Sequence, residues 1–312
     1  MSCRTQIIPI VFTLVEISSR LTALTCIALE GNPIHFDDVL FSAKPHKGPA
    51  QVASFISRDL KNVPEHFPTH RLQDRYSTRC APHVIGVLAD FLPQFKETIE
   101  TEINSACDNP LIDLTGKEPR ILSGGHFYGG HIAFVADSLK NLVANIADLL
   151  DRQLATLVDP KMNHGLPANI SGSTGPESVI NHGLKAVQIA TSAWAAEALK
   201  NTMPASVFSR STESHNQDKV SMGTIAARDS IRVLELTEQV CAAHMVATLQ
   251  AIRIRLNSGN LKKENLTKDT IQYIDAIHDI IPYITDDQPL DYVLRTLFSL
   301  IKLRKFPLYG KK

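Results

Sequence analysis

From Ile225 to Leu256 the chain contains neither proline nor glycine. A run of that length reads as one very long helix. Such a helix is stable only when its sides are covered, in a bundle or against another subunit. Cys241 and His244 lie inside it and read as packed core residues.

A second long helix is expected over 131–158. Val135, Leu139, Leu142, Ile146 and Leu149 form a near-heptad stripe, and Leu150, Leu154 and Leu157 extend it on an adjacent line. A stripe that wide predicts burial between several helices. Residues 6–30 read as a helical, apolar segment ended by Gly31-Asn32-Pro33. The apolar run Ile7 to Val15 behind Arg4 faintly resembles a signal peptide. Pro9 and Glu16 interrupt it, however, and the pattern continues through Leu21, Leu24 and Ile27, so a buried helix is expected.

The rest of the chain follows the same logic. A short helix is expected from Phe36 to Phe41, then a loop over 44–49 in which His46 is structural or capping, then a helix from Gln51 to Leu60. Residues 61–80 form a polar loop. Val84, Leu88, Phe91, Phe95, Ile99 and Ile103 mark one apolar helical face that Pro93 could bend. Leu111 to Ile121, with Thr115-Gly116 inside, reads as a small hairpin. Ser178 to Lys200 reads as a helix with Trp194 in its core. Residues 260–312 give shorter helices and a solvated basic tail, Lys302 to Lys312. The expected fold is a single domain over 1–312, mainly α, a bundle of long helices with a minor β-hairpin.

Composition narrows the function. Lys plus Arg and Asp plus Glu balance at 32 each, so no basic field points to nucleic acid. The N-terminal apolar run is too short for a membrane span. Five widely spaced cysteines suit reduced thiols and a cytoplasmic location. The histidines form no metal-ligand spacing, and no metal is expected.

Chemistry concentrates in Ser211 to Arg228, STESHNQDKVSMGTIAAR. Ser221 or Thr224 is placed to cap the long helix that follows. The cluster is either a solvated loop or a set of polar groups facing a buried ligand. Arg79 offers a fork suited to a carboxylate. Ser123 to Gly130, SGGHFYGG, has glycines around Phe127 that permit close backbone approach.

HNQDKVSMG resembles the signature of the aromatic amino-acid ammonia-lyase family. So do QDRYSTRC at 73–80, SACDNPLID at 105–113 and SGGHFYGGHIAF at 123–134, in the family's order. The resemblance runs from about residue 24 onward. It implies a helical fold of the fumarase/aspartase-like type and elimination of ammonia from an aromatic L-amino acid. It implies that Tyr76 acts in proton transfer, that Arg79 binds the substrate carboxylate and that Gln73 orients both. Phe127 would lie against the prosthetic group, and Asn216 and Gln217 would contact substrate. His126 stands where the family usually has Asn. Gln217, where histidine ammonia-lyases tend to carry an acid, favours a phenylalanine- or tyrosine-type substrate.

The family's electrophile is a methylidene-imidazolone made from an Ala-Ser-Gly triad, and no Ala-Ser-Gly occurs here. The chain therefore resembles the C-terminal part of an ammonia-lyase, expected to be inactive alone and to carry no cofactor itself. A truncated or split subunit, a product of an incomplete gene reading and a non-catalytic binding or assembly module are the three readings. Lyase and aminomutase share the elimination step. The family resemblance implies a homotetramer, or a partner chain supplying the N-terminal part. Apolar faces left uncovered would favour association.

Overall fold

A computed structural model describes residues 4–64 and 72–309, with side chains from residue 9 onward. Part of the expected polar loop (65–71), the side chains of residues 4–8 and tail residues 310–312 lie outside the described residues.

Helix α1 (Arg4–Ala28) begins the bundle. By length and composition its stretch Pro9–Ala28 could cross a membrane, but 83% of that window is buried in this fold. Its polar side chains are satisfied internally. Ser18, Ser19, Thr22 and Thr25 each donate to a carbonyl one turn back at 2.6–2.8 Å, so hydroxyls sit in an apolar interior at little cost.

A 3₁₀ turn (Pro33–Phe36) and α2 (Asp38–Ser42) follow, each opened by an acceptor side chain, Asn32 and Asp37. Helix α3 spans Lys47–Leu60 and so starts inside the expected loop. His46 occupies its N-cap position without a side-chain bond; Asp90 instead accepts from Gly48 N at 2.6 Å. Pro49 falls in the first turn, where a missing N–H costs nothing. Helix α4 is one turn, Tyr76–Arg79, within the region read as loop.

Helix α5 (Ala81–Ile103) keeps Pro93 inside it. Its buried face is Ile85, Leu88, Leu92 and Phe95; Phe91 and Ile103, expected on that face, are exposed. The α3–α5 crossing explains the shift. A Cβ on Gly48 would lie 2.0 Å from Gly86 O, and one on Gly86 would lie 2.2 Å from Pro49 N. The helices touch backbone to backbone there and fix the rotation of α5. Gly86→Ala should therefore lower stability by about 1–3 kcal/mol or more, read as a shifted denaturation midpoint. An unchanged midpoint would refute the close approach.

Strands β1 (Leu111–Asp113) and β2 (Arg120–Leu122) pair antiparallel as the expected hairpin. Asp113 closes its turn by accepting from Thr115 N and Oγ1. Helix α6 spans Gly130–Val158, α7 Lys185–Lys200, and α8 Gly223–Asn257. Helices α6 and α8 run side by side in the same direction: Lys140 meets Asp229 at 3.3 Å, and further along Thr237 donates to Val143 O at 3.4 Å. Helix α7 returns antiparallel, with Ser192 donating to Asp151 at 2.7 Å. It starts at Lys185, seven residues later than expected, because a 3₁₀ turn (Gly175–Val179) and Gly183 at φ +55° intervene. Trp194 packs against the core, partly buried.

Cys241 and His244 are buried in α8, as expected. Burial lowers the His244 pKa to about 3, so the ring is neutral; its Nε2 lies 2.8 Å from Thr25 Oγ1. Helices α9 (Lys268–His278) and α10 (Asp291–Lys302) close one side. The expected tail is not solvated throughout: residues 303–305 are exposed, but the chain then packs back. Phe306 is buried, and Tyr309 stacks on Phe55 at 4.3 Å with its hydroxyl on Asp59. Two aromatic rings outweigh the charge of the lysines around them.

Candidate active site

Gln73, Tyr76 and Arg79 come together at one end of the bundle. They line a cleft of about 520 Å³ with Asp74, Arg75, Lys161, Met162 and His164. Helix α4 supplies Tyr76 and Arg79 from a single turn, three residues apart, so both project from one face. Its place is set by buried contacts. The Gln153 amide on α6 donates to Ser77 O at 2.8 Å and to Thr22 Oγ1 at 3.0 Å.

The Arg79 guanidinium lies 4.5 Å over the Tyr76 ring. Its Nε donates to Asp74 O at 2.8 Å, and its two terminal nitrogens have no hydrogen-bond partner among the described residues. Those nitrogens are the pair a carboxylate would take. Asp74, buried in the cleft floor, accepts from Asn32 N at 2.7 Å and lies 3.7 Å from His35 Nε2. Tyr76 is 72% exposed. The opposite wall is the loop after α6, where Met162 Sδ accepts from Arg75 Nη2 at 2.6 Å. Sequence reading missed Lys161, Met162 and His164. The available signal was the position of KMNHGLP between two long helices.

Phe127, Asn216 and Gln217 lie elsewhere. Phe127 is half-exposed in the loop before α6. Gly130 allows that loop to fold tightly, since a Cβ there would lie 2.7 Å from the Tyr128 ring. The 211–222 loop meets it: a Cβ on Gly223 would lie 3.2 Å from Gly129 O. Thr212 and Gln217 form an isolated bridge, with Thr212 N donating to Gln217 O at 2.8 Å. Glu213, Ser214 and His215 all have positive φ, strained for residues with side chains. The Asn216 amide donates to Glu213 Oε2 at 2.7 Å, so here it serves its own loop. His215 Nδ1 is 2.8 Å from Ser211 Oγ. Met222, at φ +58°, is the N-cap of α8. Ser221 Oγ accepts from Gly223 N at 3.4 Å, a weak capping contact, and Thr224 lies inside the helix.

Asp137 braces the approach to this loop. It accepts from Ala205 N and Ser206 N at 3.0 Å and pairs with Lys140 at 2.9 Å. Burial raises its pKa, but the bonds from Lys140, Ser206 and Ala205 prevail and hold the carboxyl below its ordinary range.

The expected site residues thus form two groups at opposite ends of α6. Thr156, beside Tyr76, is separated from Gly130, beside Phe127, by about 40 Å at 1.5 Å per residue. Within one chain they cannot touch one ligand.

Similarity to known proteins spans both groups of motifs. The profile of the aromatic amino acid lyases matches residues 8–276. Histidine ammonia-lyase of Bacillus velezensis is 33% identical over 291 residues, covering 93% of this chain and 54% of the relative. The structure of histidine ammonia-lyase from Trypanosoma cruzi has a TM-score of 0.84 at 25% identity, covering 96% of this chain and 54% of that one. Phenylalanine aminomutase of Pantoea agglomerans gives 0.84 at 27% identity, with 95% and 59% covered. The chain spans about half the length of the curated relatives it matches. Those relatives are named for histidine, so the comparisons do not support the preference for phenylalanine or tyrosine drawn from Gln217. The bundle of long helices is the fold these structures share, and the chain belongs to the aromatic amino acid lyase family.

Proposed function

We propose that the chain is the substrate-gripping part of a carbon–nitrogen lyase that removes ammonia from an aromatic L-amino acid, with L-histidine the first substrate to test. The carrying observation is the Arg79–Tyr76 pair, stacked and facing an open cleft in a chain of this family. Arg79 holds the carboxylate through its two unengaged nitrogens. The ring stack fixes the Tyr76 phenol beside the bound amino acid, where it holds or moves a proton. Gln73 orients the two. The methylidene-imidazolone implied by the family has no parent Ala-Ser-Gly among these 312 residues, so this chain's own residues do not build it.

The roughly 40 Å between the two groups supports a site shared between copies, as in a homo-oligomer. Exposed apolar side chains at the Phe127 end (Phe134, Met203, Val207 and Phe208) fit that reading. Phenylalanine or tyrosine is a second substrate reading, resting on Gln217 alone. A non-catalytic binding or assembly module is the reading favoured by the missing triad.

The test mixes the folded chain with a family polypeptide that carries Ala-Ser-Gly, and follows the absorbance of the unsaturated acid. We expect product only from the mixture. Product from the pure chain overturns the division of labour; none from a well-formed mixed assembly leaves the binding module. In the active mixture Arg79→Lys should raise KM about 10–100-fold, since hydrogen bonds to charged groups are worth about 1.5–3 kcal/mol. An unchanged KM would remove Arg79 from the carboxylate role.

A further inference from the structure

We propose that Arg255, on the last turn of α8, is the positioning residue of the Tyr76–Arg79 cleft: one buried guanidinium that sets the spacing of its two walls. This rests on the functional reading above only for what the cleft binds. Arg255 touches no position a ligand could reach. It is 2% exposed, and each of its three nitrogens is engaged. Nε donates to Ala28 O at 3.0 Å, and Nη1 pairs with Glu30 Oε1 at 3.2 Å. Nη2 donates to Asn163 O at 3.0 Å and His164 O at 2.8 Å.

These contacts lead to both walls. Ala28 ends α1 and Glu30 lies in the turn just after it; two residues on, Asn32 N donates to Asp74, whose carbonyl in turn holds Arg79 Nε. Asn163 and His164 belong to the opposite wall with Lys161 and Met162. Two of the contacted residues, Glu30 at φ +52° and His164 at φ +59°, are non-glycine residues in the left-handed region. Such residues persist only where surrounding contacts over-determine them. The planar fork of Arg255 reaches both from one point, which an ammonium could not do.

The experiment is hydrogen exchange of the full chain, read by mass spectrometry on peptides covering 28–34, 72–80 and 160–166, with residues 236–250 of α8 as control. In Arg255→Lys the three wall peptides should exchange about tenfold faster, the effect of losing one or two net hydrogen bonds, while the control is unchanged. Equal acceleration everywhere, or unchanged walls, would overturn the proposal. Glu30→Ala removes the Glu30 arm only and keeps the test open if Arg255→Lys does not fold. It should loosen 28–34 and 72–80 and leave 160–166 alone; loosening all three equally, or none, also overturns it. In the mixed assembly Arg255→Lys should raise KM about tenfold with kcat nearly unchanged, whereas a merely structural role would lower the active fraction alone. Were wild-type assemblies to show no lyase activity, the functional reading would fall and the exchange pattern would still decide the role of Arg255.

Discussion

Arg20→Met is expected to cost about 3–5 kcal/mol of folding stability at neutral pH, the range for breaking a buried ion pair. Arg20 and Asp59 are 1% and 0% exposed and meet at 3.0 Å. The guanidinium also lies over the Tyr309 ring at 4.4 Å and the Tyr273 ring at 5.6 Å. Without it, Asp59 would keep, among the described residues, the Tyr309 and Thr270 hydroxyls as donors and the more distant charge of Arg58. Burial already raises the Asp59 pKa to about 6, against the opposing pull of Arg20 and the Tyr309 bond. A raised carboxyl pKa favours the folded state at low pH. That contribution is complete below the unfolded value and is lost as pH rises through the folded one. Removing Arg20 raises the folded value further. Urea denaturation should therefore show the variant regaining stability as pH falls from 7 to 5. Adding Asp59→Leu should restore most of the loss at neutral pH. A single variant as stable as wild type at pH 7 would show that the pair contributes nothing net.

Glu238→Leu should have the opposite sign, a gain of about 3 kcal/mol at pH 8. Glu238 sits on α8 at 1% exposure, and neither carboxylate oxygen has a hydrogen-bond partner among the described residues. Burial raises its pKa to about 7; Lys302 opposes the shift and Glu235 adds to it. The proton is therefore held in the folded chain well above the pH at which an unfolded glutamate loses it. Wild-type stability should fall as pH rises from about 4.5 to 7, and the variant should lack that slope. Leucine has a similar volume and leaves no unpaired polar atom. Parallel denaturation series at pH 5 and 8 check this. Equal gains at both pH values would mean that packing, not the carboxyl, is responsible.

The long helices were legible because their information is local. The run without proline or glycine became α8, and the leucine lines of α6 are buried where the stripe placed them, save Leu142, which is partly buried. Errors arose where a distant contact decided. Helix α3 starts early because Asp90, from another helix, takes the Gly48 N–H. Phe91 and Ile103 face outward because the Gly48–Gly86 approach fixes how α5 is turned. Tyr309 left the expected tail to pack against α1 and α3, and Phe306 to pack against Tyr273 of α9.

The candidate site shows the same division. Residue types that suit a carboxylate and an aromatic ligand were visible at Gln73, Tyr76, Arg79, Phe127, Asn216 and Gln217, as was their kinship to one family. That the first three share a cleft with Lys161, Met162 and His164 was not visible. Nor was the placement of the others about 40 Å away along α6. By itself the sequence determined helix periodicity, the hairpin and the family, since each depends on neighbours within a few residues or on linear order. Only the tertiary structure decided which side chains meet, which carboxylates lose their water and which guanidinium spans two walls. Those outcomes depend on packing between segments tens to hundreds of residues apart, as the Arg255–Ala28 bond does.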